Sequence, residues 1–119
     1  MKVLLADDQE SSLSLMRLLV EREDKEVLLA KNVQEAIDIL LEHQPELAII
    51  DLLMPGDSNG VDLVHFIRET PEIAGTRVVI TTAGMGDFTA RDALEAGADA
   101  FLSKPFTVKQ WKDIVGNFY

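Results

Sequence analysis

Cysteine is absent from this chain, which removes disulfide frameworks, thiolate metal sites and thiol nucleophiles together. Basic residues are scarce as well. Eleven Lys and Arg stand against twenty-one Asp and Glu, a formal net charge of −10 at pH 7. A polyanion needs a basic footprint, so direct nucleic-acid binding is not expected, and a basic partner or a bound cation suits the acidic surplus better. No apolar run approaches the roughly 18 residues of a membrane span. Met1 and Lys2 lead straight into a short apolar block with no cleavage-site pattern. A cytoplasmic protein without membrane contact, starting near Met1, is the expectation. Linkers and low-complexity tracts are also missing, so residues 1–119 read as one domain.

What is present is an alternation. Five short apolar blocks, Val3 to Ala6, Val27 to Ala30, Leu47 to Ile50, Val78 to Thr81 and Ala100 to Leu102, are separated by longer segments of helical spacing. The blocks are nearly all apolar rather than alternating with polar residues, which is the pattern of parallel strands covered on both faces. Asn32 with Glu35, and Thr107 with Gln110, are capping-box pairs that open the second and last helices. From Ser12 to Glu21 the spacing predicts an inward stripe of Leu15, Leu18 and Leu19, and after Gly60 one of Leu63, Phe66 and Ile67. Gly97 suits the left-handed residue past the fourth helix, and Pro45 and Pro71 fall in connections. Trp111 and Phe118, on a last helix running to the end of the chain, are expected to face the core or an interface together. Five such units in this length predict an open α/β sheet with helices on both faces, too short for an eight-stranded barrel.

Ligands of such sheets bind beyond the carboxyl ends of the strands. Asp7 and Asp8 follow the first block, Asp51 the third, Thr81 and Thr82 end or follow the fourth, and Lys104 with Pro105 follows the fifth. Three clustered carboxylates repel one another and call for a cation, and oxygen ligands without His or Cys suit Mg²⁺. Such an ion shares its sphere with phosphate oxygens, Lys104 offers a point charge and a Thr hydroxyl a donor, and one carboxylate is left to act as a nucleophile toward phosphorus.

These residues give the chain its resemblance to the receiver domains of two-component response regulators. The match runs from end to end: Asp7-Asp8, Asp51 after Ala48-Ile49-Ile50, Met54-Pro55, Thr82-Ala83, Ala96-Gly97-Ala98, and Phe101-Leu102-Ser103-Lys104-Pro105-Phe106. The resemblance implies a flavodoxin-like five-stranded parallel sheet of order 2-1-3-4-5. It implies that Asp51 accepts a phosphoryl group from a histidine kinase or phosphotransfer protein. Asp7, Asp8, Asp51 and the main-chain carbonyl of Leu53 would hold Mg²⁺, and Lys104 would pair with the phosphoryl group. Thr82 would move to meet it, ahead of Thr81, and Phe101 would turn inward. The altered surface would then be read by a downstream protein or an attached output domain, and phosphorylation could pair two copies. On this reading the chain is a signalling module that assists its own phosphorylation and dephosphorylation, not a turnover enzyme.

The chain departs from the family pattern in its loop from Met54 to Gly60, one residue longer than the common spacing. Leu53 and Gly84 occupy positions that tune phosphoryl lifetime in the family. Taken singly, Asp7 and Asp8 could cap the first helix, Asp51 could end a strand and Lys104 could be solvated. His43 and His65 lack a partner at metal-ligand spacing. A phosphohydrolase with an Asp nucleophile would need a second Asp two residues on, where Gln9 and Glu10 stand. A flavodoxin-like cofactor carrier would need a phosphate loop where Asp7 and Asp8 repel phosphate. The alternative is a receiver-like interaction module acting without phosphorylation.

Overall fold

All five apolar blocks become strands of one sheet in the computed structural model of the chain. It describes residues 1–56, 59–83 and 87–119, with residues 87–90 described by their backbone alone. The elements run β1 (Lys2–Ala6), α1 (Glu10–Glu21), β2 (Glu26–Ala30), α2 (Val33–His43), β3 (Leu47–Asp51), α3 (Gly60–Glu69), β4 (Arg77–Thr82), α4 (Asp87–Ala96), β5 (Ala100–Ser103) and α5 (Val108–Val115). Short 3-10 turns cover Pro71–Ile73 and Gly116–Phe118. The strands are parallel, in the order β2-β1-β3-β4-β5.

Strand alternation divides the core in two. Leu4, Ala6, Ile50 and Ile80 pack toward Ala36 and Leu40 of α2, Leu63 and Ile67 of α3, and Ala93 and Ala96 of α4. Val3, Leu5, Ile49, Val79 and Leu102 pack toward Leu13, Met16 and Leu19 of α1 and Trp111 and Val115 of α5. Because both faces are covered, neither kind of position can be polar along most of the strand, hence the unbroken apolar blocks.

The helices depart from expectation in places. The predicted stripe of α1 is turned: Leu15 and Leu18 are 46% and 57% exposed, and Leu13, Met16, Leu19 and Val20 lie inside. The helix begins two residues before Ser12, and Leu13 with Met16 forms an equally regular apolar row on the neighbouring side. In α3, Leu63 and Ile67 are buried as predicted, Val64 joins them, and Phe66 is half-buried. Asn59, unremarked in the sequence reading, caps α3 in a full capping box with Asp62. Thr107 and Gln110 form the predicted box, whereas Glu35 accepts from the Lys31 amide and leaves the Asn32 cap one-sided. The last helix gives way to a 3-10 turn at Gly116, and Trp111 and Phe118 pack in the same α1/α5 cluster. Gly97 has a φ of +116°. No helix among the described residues is long and apolar enough to cross a membrane.

Candidate functional site

The same alternation assigns the polar residues at the carboxyl edge. Asp7 continues the face of Leu5, Asp51 that of Ile49, and Lys104 that of Leu102, so all three come to the α1/α5 side. Asp7 is fully buried, Asp51 is 8% exposed and Asp8 is exposed. One carboxylate oxygen from each of Asp7, Asp8 and Asp51 lies within 4.8 Å of the others. Lys104 Nζ stands 2.5 Å from Asp7 Oδ2 and 3.4 Å from both Asp51 Oδ2 and Ser12 Oγ. The Gln9 amide donates to Asp7 Oδ1 at 2.9 Å and the Leu53 amide to Asp51 Oδ1 at 3.3 Å.

Burial pushes the Asp51 carboxyl above the usual carboxylate value. The Lys104 ammonium opposes that rise, Asp7 adds to it, and the Leu53 N–H opposes it. Two buried carboxylates against one ammonium leave uncompensated negative charge, with Asp8 adding to it from the rim. An all-oxygen donor set of this kind fits a hard divalent cation, so the residues present suit the ion expected of them. A buried carboxylate with an ammonium on one side and cation ligands on the other can attack an electrophile that is itself an anion.

Thr82 and Phe101 take the other face. Thr82 follows Ile80 in alternation and Phe101 pairs with Ile80 in register, so the two are diagonal neighbours toward α3 and α4. Thr82 is fully buried and its hydroxyl has no partner among the described residues, while Phe101 is half-buried. Neither touches the carboxylates through a hydrogen bond among the described residues. The Leu53 side chain is 60% exposed. Gly84, and Asp57 and Ser58 of the longer loop, lie outside the described residues. The capping reading of Asp7 and Asp8 gives way: Gln9 is the N-cap of α1, without a side-chain cap bond.

Three residues near the site were missed or set aside in the sequence reading. Ser12 faces Lys104. Thr81, taken there as the lesser hydroxyl, pairs in register with Asp51. Gly60 abuts the backbone behind Asp51: a Cβ there would stand 2.8 Å from Asp51 O and from Leu52 Cα. Its amide also donates to Leu52 O at 2.8 Å. An isolated glycine ahead of a helical pattern was the one signal for it.

A doubly wound parallel sheet with three acidic side chains and a lysine at its carboxyl edge defines a class, and the comparisons agree with it. The chain belongs to the response regulator receiver domain family, whose model matches residues 3–115. Among curated proteins it is similar to the transcriptional regulatory protein CpxR of Escherichia coli, 35% identical over 109 residues, 92% of this chain and 45% of that protein. It therefore spans about half the length of that relative. It is 30% identical to the chemotaxis protein CheY of Halobacterium salinarum over 116 residues, 98% of this chain and 94% of that one. Among solved structures, a putative response regulator from Chloroflexus aurantiacus superimposes with a TM-score of 0.92 at 26% identity, covering 98% of this chain and 95% of that one.

Proposed function

We propose that residues 1–119 form a phosphoacceptor receiver domain of a two-component system, taking a phosphoryl group onto Asp51 from a histidine kinase or phosphotransfer protein. The observation that carries this reading is the position of Asp51: buried, with Asp7 and Asp8 carboxylates within 4.8 Å and Lys104 Nζ 3.4 Å from Oδ2. A carboxylate oxygen of Asp51 attacks phosphorus, the bond from phosphorus to the donor's imidazole nitrogen breaks, and that nitrogen keeps the electron pair. Asp7, Asp8, Asp51 and the Leu53 carbonyl would hold Mg²⁺, which when bound offsets the charge of the phosphoryl oxygens. Lys104 pairs with one of those oxygens and keeps the donor's phosphate aligned with Asp51.

Thr82 and Phe101 carry the response. A phosphoryl group adds about −1.5 to −2 charges at pH 7, and the unpartnered Thr82 hydroxyl is a donor that can turn toward it. Phe101, a diagonal neighbour, can enter the space Thr82 leaves. The surface that changes is then read by a downstream protein, an attached output domain or a second copy, in the cytoplasm. The chain acts as a signalling module that speeds its own phosphorylation and dephosphorylation.

The test is incubation with acetyl phosphate and Mg²⁺ followed by mass spectrometric mapping. Modification at Asp51, absent without Mg²⁺ and in Asp51→Asn, is expected. A wild-type chain that stays unmodified would favour an interaction module acting without phosphate, and labelling of Asp51→Asn at the native rate would sink the assignment.

A further inference from the structure

Thr81 is fully buried, yet its hydroxyl has no hydrogen-bond partner among the described residues. Buried polar atoms left in that state are uncommon in folded proteins, and each asks for a reason. Thr81 pairs in register with Asp51 on β3 and with Leu102 on β5, and it shares the α1/α5 face with both. Lys104 lies two residues past Leu102 on that face. The Thr81 hydroxyl therefore sits at the base of the Asp51 and Lys104 pair, whereas the Thr82 hydroxyl approaches from the opposite face.

Asp51 has the complementary deficit. Its carboxylate is buried, yet both its contacts among the described residues are long for hydrogen bonds, 3.3 Å from the Leu53 amide and 3.4 Å from Lys104 Nζ. Lys104 is engaged more closely by Asp7, at 2.5 Å. Among the described residues, an acceptor short of donors and a donor without an acceptor thus occupy paired positions on neighbouring strands. Strands stand about 4.8 Å apart, a gap that a threonine hydroxyl and an aspartate carboxylate span by rotation about χ1 or through one water.

We propose that Thr81 is a positioning residue for Asp51: its hydroxyl donates, directly or through one water, to the carboxylate and fixes the orientation in which Asp51 meets phosphorus. The role rests on Asp51 being the phosphoacceptor and deepens that reading.

The test compares Thr81→Val, which keeps shape and loses the hydroxyl, with Thr81→Ser, which keeps the hydroxyl. Two readouts are taken: the rate of Asp51 phosphorylation across acetyl phosphate concentrations, and the ¹³Cγ resonance of Asp51 at neutral pH without metal. Thr81→Val is expected to lower the maximal rate about five- to tenfold, the worth of one hydrogen bond. The half-saturating acetyl phosphate concentration should hold steady, the Asp51 resonance should move, and Thr81→Ser should restore both. Wild-type rate and resonance in Thr81→Val would overturn the proposal, as would equal losses in both variants, which would mean packing alone is at work. Should Thr81→Val not fold, Thr81→Cys, with a weak donor in similar volume, takes its place under the same criteria. A wild-type chain that takes no phosphate defeats the parent reading instead, and the resonance then still decides whether Thr81 contacts Asp51.

Discussion

The two faces of the sheet reach the carboxyl edge with opposite equipment. On the α1/α5 face stand the buried Asp7, Asp51 and Thr81 with the half-buried Lys104, whose ammonium meets Asp7 at 2.5 Å and Asp51 at 3.4 Å. On the α2/α3/α4 face stand Thr82 and Phe101, one with a hydroxyl unused among the described residues and the other half-buried, neither bound there to the carboxylates. The first face is built to hold charge in place. The second carries a donor unmet among the described residues and a half-buried ring beside it, which suits a movable element, since two arrangements must differ by only a few kcal/mol for one modification to shift the population. On the proposed reading, one residue step along β4, from Thr81 to Thr82, separates the group that steadies Asp51 from the group that responds to its phosphorylation.

The comparison is broken most severely by removing the ammonium from the first face. Lys104→Met keeps length and apolar bulk but leaves the fully buried Asp7 carboxylate without its partner. We expect a loss of about 3 kcal/mol in urea unfolding at neutral pH, because an unpaired buried charge costs more than the pair contributed. Unchanged stability would mean that Asp7 is served by water rather than by Lys104. On the other face, Gly60→Ala drives a methyl into the backbone of Asp51 and Leu52. A loss of about 2 kcal/mol is expected from overpacking, together with shifted amide resonances at positions 51–53, and an undisturbed β3 would contradict the close approach.

A smaller effect of opposite sign sharpens the account of charge. The Asp51 carboxyl is raised above its ordinary value chiefly by burial, so in the folded state the ionised form is disfavoured relative to the unfolded chain. Stability is lost as pH rises through the unfolded value toward the folded one, and the penalty is fully present above the latter. Asp51→Asn removes it. The variant should be more stable than the wild type at neutral pH without metal. The difference should vanish below the ordinary carboxylate range, and added Mg²⁺ should stabilise the wild type preferentially. A variant less stable than the wild type at neutral pH without metal would show that Lys104 outweighs burial.

Much of this arrangement was legible before the structure. Strand alternation fixes the face of each residue, and Asp7, Asp51 and Lys104 each end or follow an apolar block, so their convergence follows from counting. What counting could not supply was contact across distance in sequence. Ser12 meets Lys104 from α1, and Arg68 of α3 donates to Gly97, Ala74 and Thr76 carbonyls and pairs with Asp99 at 2.9 Å. The turn of α1 was misread because Leu15, Leu18 and Leu19 make as good a helical row as Leu13, Met16 and Leu19, and packing against Val3 and Leu5 decides between them. Thr81 was set behind Thr82 because resemblance points to the residue before Ala83, whereas register with Asp51 is a property of the paired strands.

The division of labour between the faces is tested most directly by Thr82→Ala. Phosphorylation at Asp51 and the amide shifts of residues 84–106, with and without a beryllofluoride mimic of the phosphoryl group, are measured on the same protein. The account predicts that Thr82→Ala still takes phosphate at Asp51, because the α1/α5 face is intact, yet loses most of the shift at Phe101 and beyond. If Thr82→Ala shifts that region as fully as the wild type does, the response does not pass through Thr82 and Phe101, and the separation of the two faces is contradicted.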